Sequence, residues 1–168
     1  MQDYIHKLND LATSLESQNK ILQANLINLK IAKLAEGNEK CPPATQDIKL
    51  NLKNRQKAID EYGYGPADPS QENQKFWIKK MKMWQVDDLS EVKNMLCGNC
   101  AAFDITTKAL DCIAKGIGSS DEPIETIEAG QLGYCKFLKF KCASERTCDA
   151  WVTGGPITDE KSQKGKEK

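Results

Sequence analysis

The sequence predicts a mainly α chain that carries an irregular, small, cysteine-rich module able to hold a metal or cluster, with an N-terminal coiled-coil helix ahead of it. Three observations predict this class. Leucines recur every seven residues near the start, further helical stretches are separated by Gly/Pro-rich turns, and six of the seven cysteines fall between positions 97 and 148. Only 39% of the 168 residues are hydrophobic and 7% aromatic, too few for a large conventional core.

Residues 2–36 read as one helix. Leu8, Leu15, Leu22 and Leu29 occupy d positions, and Ile5, Ala12, Asn19, Leu26 and Lys33 the matching a positions. A helix of this length is marginal alone in water and needs a partner. Asn19 satisfies its amide best opposite a second Asn19, so the expected arrangement is parallel self-association through Leu8, Leu15, Asn19, Leu22 and Leu29. The alternatives are packing on the chain's own C-terminal part, or docking on unlike proteins, since Ile21, Ile27, Ile31 and Leu34 widen the apolar face.

Gly37-Asn38 ends that helix, and Cys41-Pro42-Pro43 prevents its continuation. A second helix, capped by Thr45, should run to about Tyr62 and bury Ile48, Leu52, Ile59 and Tyr62. Gly63 to Pro69 is a turn-rich connection. Ser70 should cap a third helix carrying Phe76, Trp77, Lys80, Met81 and Trp84, and Asp88 to Met95 a short fourth. Beyond Gly154-Gly155-Pro156, the Lys-rich end 161–168 contains no apolar residue and reads as a solvated or docking tail.

Charge and chemistry narrow the function. With 24 basic and 24 acidic residues the formal net charge is zero, which gives no electrostatic reason for nucleic-acid binding. No run of about eighteen apolar residues predicts a membrane span, and Met1-Gln2-Asp3-Tyr4 opens no signal peptide. Seven cysteines in such a chain favour metal or cluster binding over a disulfide framework, although disulfides stay open for a protein that leaves the cell inside a particle. The single histidine, His6, lies in the coiled coil, so no Cys–His or Ser–His nucleophile is available and no catalytic residue is expected.

Cys97-Gly98-Asn99-Cys100 lets two thiolates reach one centre, and Gly98 and Asn99 suit the turn because both tolerate positive φ. Zinc would call for a second close pair, whereas Cys135, Cys142 and Cys148 are more widely spaced. A cluster needs four thiolates and a shell that excludes water, for which Phe103, Tyr134, Phe137, Phe140 and Trp151 are placed.

Cys97-Gly98-Asn99-Cys100-Ala101-Ala102-Phe103, then Cys112, then Gly133-Tyr134-Cys135, resembles the ligand motif of high-potential iron–sulfur proteins. The resemblance implies one 4Fe–4S cluster on Cys97, Cys100, Cys112 and Cys135, shielded by Phe103, Tyr134, Phe137 and Trp151, with zinc as the alternative. Cys142 and Cys148 would then be a disulfide or additional ligands, and Cys41 a free structural thiol or an inter-chain contact. A second resemblance spans roughly 41–160. Cys41-Pro42-Pro43-Ala44-Thr45-Gln46-Asp47, Tyr62-Gly63-Tyr64-Gly65-Pro66, the Cys97–Phe103 run and Phe140 to Thr158 are similar to a family of small structural proteins of tailed phages of marine and freshwater bacteria.

The expected organisation is therefore 1–37 coiled-coil or docking helix, 38–69 linker and short helix, 70–158 helical lead-in and cysteine-rich module, and 159–168 disordered tail. The expected function is a non-enzymatic virion protein, made in the host cytoplasm, whose partners are copies of itself and other virion proteins. Its module would be stapled by an iron–sulfur cluster or another metal. A high-potential electron carrier and a zinc-binding adaptor are the alternatives.

Overall fold

The architecture follows from how the chain closes a very short sheet. The structure, a computed structural model, describes residues 7, 10–15, 20, 23–24, 26–28, 41–118 and 122–164. Three antiparallel strands, β1 (Phe103–Asp104), β2 (Leu132–Cys135) and β3 (Phe140–Ala143), lie in the order β1-β2-β3. Around them pack α1 (Pro43–Gln46), α2 (Ile48–Tyr62), α3 (Gln74–Trp84), α4 (Leu89–Lys93), α5 (Thr107–Ile117), α6 (Pro123–Gly130) and α7 (Asp159–Lys164). The fold is helix-rich, as expected, and the cysteine-rich part carries a small three-stranded sheet where an irregular module was expected. No helix among the described residues is long and apolar enough to cross a membrane.

The cap of α2 is Asp47, whose carboxylate accepts the Leu50 N–H; Thr45 is fully buried and its hydroxyl donates to the Pro42 carbonyl. Half of the expected apolar face of α2 holds, since Ile59 and Tyr62 pack against a core, but Ile48 and Leu52 are exposed whereas Asn51 and Ala58 are buried. The reason lies in β3, an edge strand with unpaired polar groups. Asn51 accepts the Lys141 N–H at 2.7 Å, Asn54 donates to the Lys139 carbonyl at 2.7 Å, and the Tyr64 hydroxyl accepts the Ala143 N–H at 3.2 Å. A helix packed on such an edge needs amides more than leucines. Helix α3 begins at Gln74 rather than after Ser70, which instead closes a turn on Asp68 through both its N–H and its hydroxyl. The short fourth helix forms as expected, capped by Asp88.

Alternation along the strands divides the interior into two cores. On one face Tyr134 meets Ala109, Leu110, Ile113 and Ala114 of α5, with Ala44 and Ile127. On the other, Phe103, Ile105, Phe140 and Cys142 meet Ala58, Tyr64 and further cysteines. The stretch expected as a linker and short helix thus contributes α1 and α2, which between them pack on both cores. The expected tail is also ordered in part. The Asp159 carboxylate in α7 accepts the Thr107 N–H and hydroxyl, and the Lys161 ammonium donates to the Gly154 and Pro156 carbonyls.

At the N-terminus, Leu26 is only 4% exposed and belongs to the α5 core, so this a-position side chain packs on its own chain. Residues 10–15 and 26–28 are helical but Lys20 is not, its N–H donating to the Leu15 carbonyl; the expected unbroken helix is interrupted there. Leu15 is half-buried, while Leu8, Asn19, Leu22 and Leu29 lie outside the described residues.

Cys41, expected to be free or inter-chain, is disulfide-bonded to Cys112, with a Cα–Cα distance of 5.4 Å across a sequence separation of 71. This bond ties the approach to α1 onto α5. Replacing both residues, as Cys41→Ser with Cys112→Ala, should lower stability by about 2–4 kcal/mol, because the unfolded chain regains the entropy of that loop. Urea unfolding of the full chain reads this directly, and an unchanged midpoint would show the bond to be dispensable.

Candidate metal centre

Five thiols, those of Cys97, Cys100, Cys135, Cys142 and Cys148, line one narrow apolar recess. They come from four places in the fold: a 3-10 turn (Cys97–Asn99) running into Cys100, the end of β2, the middle of β3, and the turn after it. The first pair is held by its backbone. The Cys97 and Gly98 N–H groups donate to the Arg146 and Ser144 carbonyls at 2.6 and 2.9 Å.

Neither Gly98 nor Asn99 has positive φ, contrary to expectation. Gly98 is required for close approach, since a Cβ there would lie 3.0 Å from that of Ser144. Asn99 acts through its side chain. Its oxygen accepts the Leu96 N–H and the Trp151 indole N–H, and its amide nitrogen donates to the Asn94 carbonyl.

Backbone N–H groups are aimed at the sulfurs. Cys135 Sγ accepts from Leu138 at 3.3 Å and Cys100 Sγ from Val152 at 3.5 Å. Hydrogen bonding from the Cys142 thiol, reinforced by the N–H groups of Leu138, Phe137 and Lys139, brings Cys135 down to about 7 against the effect of burial. Cys142 moves the other way, well above the ordinary thiol value, because its thiol bonds to Cys135 and Cys97 and is buried. Burial pushes Cys148 up to about 12, opposed by the Ala150 N–H. Burial likewise raises the phenol of Tyr64. The site thus mixes one thiol that ionises readily, Cys135, with two, Cys142 and Cys148, that hold their protons more tightly.

Among the described residues no three His, Cys, Asp or Glu side chains are placed to hold a single metal ion. The sulfurs surround a space rather than converge on a point.

The aromatic shell is partly as expected. Phe103, Phe137 and Trp151 line the recess, with Phe103 buried and Phe137 58% exposed. The Phe137 ring meets Tyr62 edge-on at 5.9 Å. Gly133 makes room for Phe103, because a Cβ there would fall 2.5 Å from its ring. Tyr134 is buried, but in the opposite core; it neighbours Gly133 and Cys135 along β2 and so points through the other face. Tyr64, not anticipated, supports the shell by meeting Phe140 edge-on at 4.9 Å. Behind Cys148, the Lys80 ammonium pairs with Asp149 and donates to the Gly63 carbonyl at 2.9 Å.

Cys112 is not part of the site. It sits on the apolar face of α5 with Ala109, Leu110 and Ile113, on the far side of the sheet, and is bonded to Cys41. Cys142 and Cys148, expected to pair with each other or to serve as ligands, are both free thiols lining the recess. A signal for Cys148 was present in the sequence. Cys100-Ala101-Ala102-Phe103 and Cys148-Asp149-Ala150-Trp151 share a Cys-x-x-aromatic pattern, and both rings cover the same recess. Comparison with protein families, with curated proteins and with solved structures gives no match for this chain.

Proposed function

We propose that the chain is a non-enzymatic structural protein of a tailed-phage virion. Its C-terminal module would be stapled by a 4Fe–4S cluster on Cys97, Cys100, Cys135 and Cys148, and its N-terminal helix would serve assembly with copies of itself and other virion proteins. The observation that carries the staple is the meeting of five thiols at one apolar recess. A cubane takes four thiolates and is stabilised by a shell that excludes water and by N–H···S hydrogen bonds. Zinc fits less well. Four thiolates at about 2.3 Å from one ion must crowd together, and no such grouping occurs among the described residues.

Bound there, the group would supply cross-links and a site able to take up or release one electron. This chain's own residues set its frame. Three sequence-distant segments would be tied through it, which suits a module with little apolar surface to bury. The virion reading rests on the sequence segments similar to phage structural proteins. In the fold two pairs of those segments meet: α1 contacts β3, and Gly65 pairs with Thr147 in a β-bridge.

Electron transfer is a second reading, favoured by Phe137, which both lines the recess and reaches solvent. One experiment separates the readings: iron, zinc and acid-labile sulfide are measured in the full chain purified without oxygen. About four iron and four sulfide per chain are expected. Zinc, or no metal, would overturn the cluster. Reversible cycling at an electrode would move the function to electron transfer, whereas loss of colour without recovery fits a staple. Absence of the chain from purified particles of the virus that encodes it would overturn the virion role.

A further inference from the structure

Five thiols line a recess where a cubane takes four, so one is surplus. We infer that Cys142 is a reserve ligand, able to replace Cys97 or Cys135 when either is lost but unable to replace Cys100 or Cys148. This rests on the cluster reading above. The geometry is specific. Cys142 is 2% exposed, lines the recess, and has its sulfur within hydrogen-bonding reach of the sulfurs of Cys97 and Cys135.

Its position in β3 explains that reach. Cys142 stands opposite Gly133 in the strand pairing, so the residue facing it on β2 carries no side chain, and the Phe103 ring fills the space over that glycine. Two residues along β2 from Gly133, Cys135 faces the same side as Cys142. From below, the Cys97 backbone is pinned by the Arg146 carbonyl, four residues after Cys142. Rotation about the Cα–Cβ bond moves a cysteine sulfur by about 3 Å between staggered positions. That is enough to bring the thiol from beside a neighbouring sulfur into the place that sulfur occupied. On ligation the thiol proton passes to the buffer, and no oxidant or reductant is needed.

In the intact centre Cys142 has a different task, donating its one S–H to the sulfur of Cys135 or of Cys97. Hydrogen bonds to ligand sulfurs tune a cluster, so this residue should affect the spectrum and potential of the parent without governing its iron content.

The test uses full-length protein reconstituted with ferrous iron and sulfide under reductant, read as iron per chain and visible absorption. Alanine is used because a serine oxygen could itself ligate. Cys142→Ala should keep parental iron content, and Cys135→Ala and Cys97→Ala should each keep at least half of it with an altered spectrum. Cys135→Ala/Cys142→Ala, Cys100→Ala and Cys148→Ala should fall below about a tenth. Parent protein with iron, but with Cys135→Ala and Cys97→Ala both as empty as Cys100→Ala, would overturn this inference alone. A parent that takes up no iron and sulfide would overturn the cluster reading and this inference with it. Iron retained in Cys135→Ala/Cys142→Ala would show that another group, not Cys142, does the replacing.

Discussion

Gly116→Ala should destabilise the protein by about 2 kcal/mol or more, although alanine is the better helix former by about 1 kcal/mol. The added Cβ would lie 1.7 Å from the Thr45 carbonyl oxygen and 2.7 Å from its carbon. These are backbone atoms of α1, so no side-chain rotation relieves the overlap. Nor can α1 simply withdraw. Thr45 is fully buried, the Gln46 amide donates to the Cys112 carbonyl at 2.6 Å, and the Cys41–Cys112 bond anchors the same segment to α5. Urea unfolding beside Lys115→Ala, a change on the exposed side of α5, provides the comparison. Lys115→Ala should stay within about 0.5–1 kcal/mol of the parent, because its pairing with Asp111 is an i,i+4 pair whose ammonium is half-exposed. A Gly116→Ala protein more stable than the parent would mean that α1 and α5 do not pack this closely.

The buried pair behind Cys148 should show a strong asymmetry. Asp149→Ala removes the carboxylate and leaves the Lys80 ammonium, 2% exposed, with only the Gly63 carbonyl and the rings of Phe76 and Trp84 at 5.1 and 5.8 Å. An unpaired buried charge costs about 3–5 kcal/mol. Lys80→Met removes the other partner but leaves a carboxylate that is 28% exposed and can turn toward water, while the methionine fills most of the lysine stem's volume. Its expected cost is about 1–2 kcal/mol. The double substitution should recover part of the Asp149→Ala loss. All three are compared by chemical unfolding of metal-free protein, so that ligation does not enter. Equal losses in the two single variants would show that Lys80 is not desolvated as its burial implies.

Local features were legible in the sequence, and long-range closures were not. Helices α2, α3 and α4 were visible from turn chemistry and apolar spacing, each within a few residues, although the caps expected for α2 and α3 were not the residues that cap them. Cys97, Cys100 and Cys135 line one recess; the first two were legible as neighbours from their two-residue gap, whereas Cys135 was suggested only by the resemblance of Gly133-Tyr134-Cys135 to a cluster motif. Cys112 was misplaced because spacing along the chain cannot tell a lone cysteine facing a recess from one on the buried stripe of an amphipathic helix. The flanking Ala109, Leu110 and Ile113 carried that information. Tyr134 failed for a related reason, since adjacent strand residues point through opposite faces, so a residue beside a ligand is the one turned away from it. The buried side of α2 was hidden because its partner is an edge strand. Burying Asn51 there makes sense only once the unpaired Lys141 N–H is known.

The sealing of that strand bears on how the protein can be joined to others. Outward-pointing groups of β3 are occupied by Asn51, Asn54 and Tyr64, and at the opposite margin Ile157 takes both the Phe103 carbonyl and the Ile105 N–H. Neither margin offers a row of vacant backbone groups on which a foreign strand could nucleate. Growth by sheet extension, the route to fibres and to strand-donation assemblies, is thereby closed at these positions. Contacts with another protein at these positions would have to use side-chain surfaces, and Ile48 and Leu52 on the outer face of α2 are among the apolar side chains turned to water.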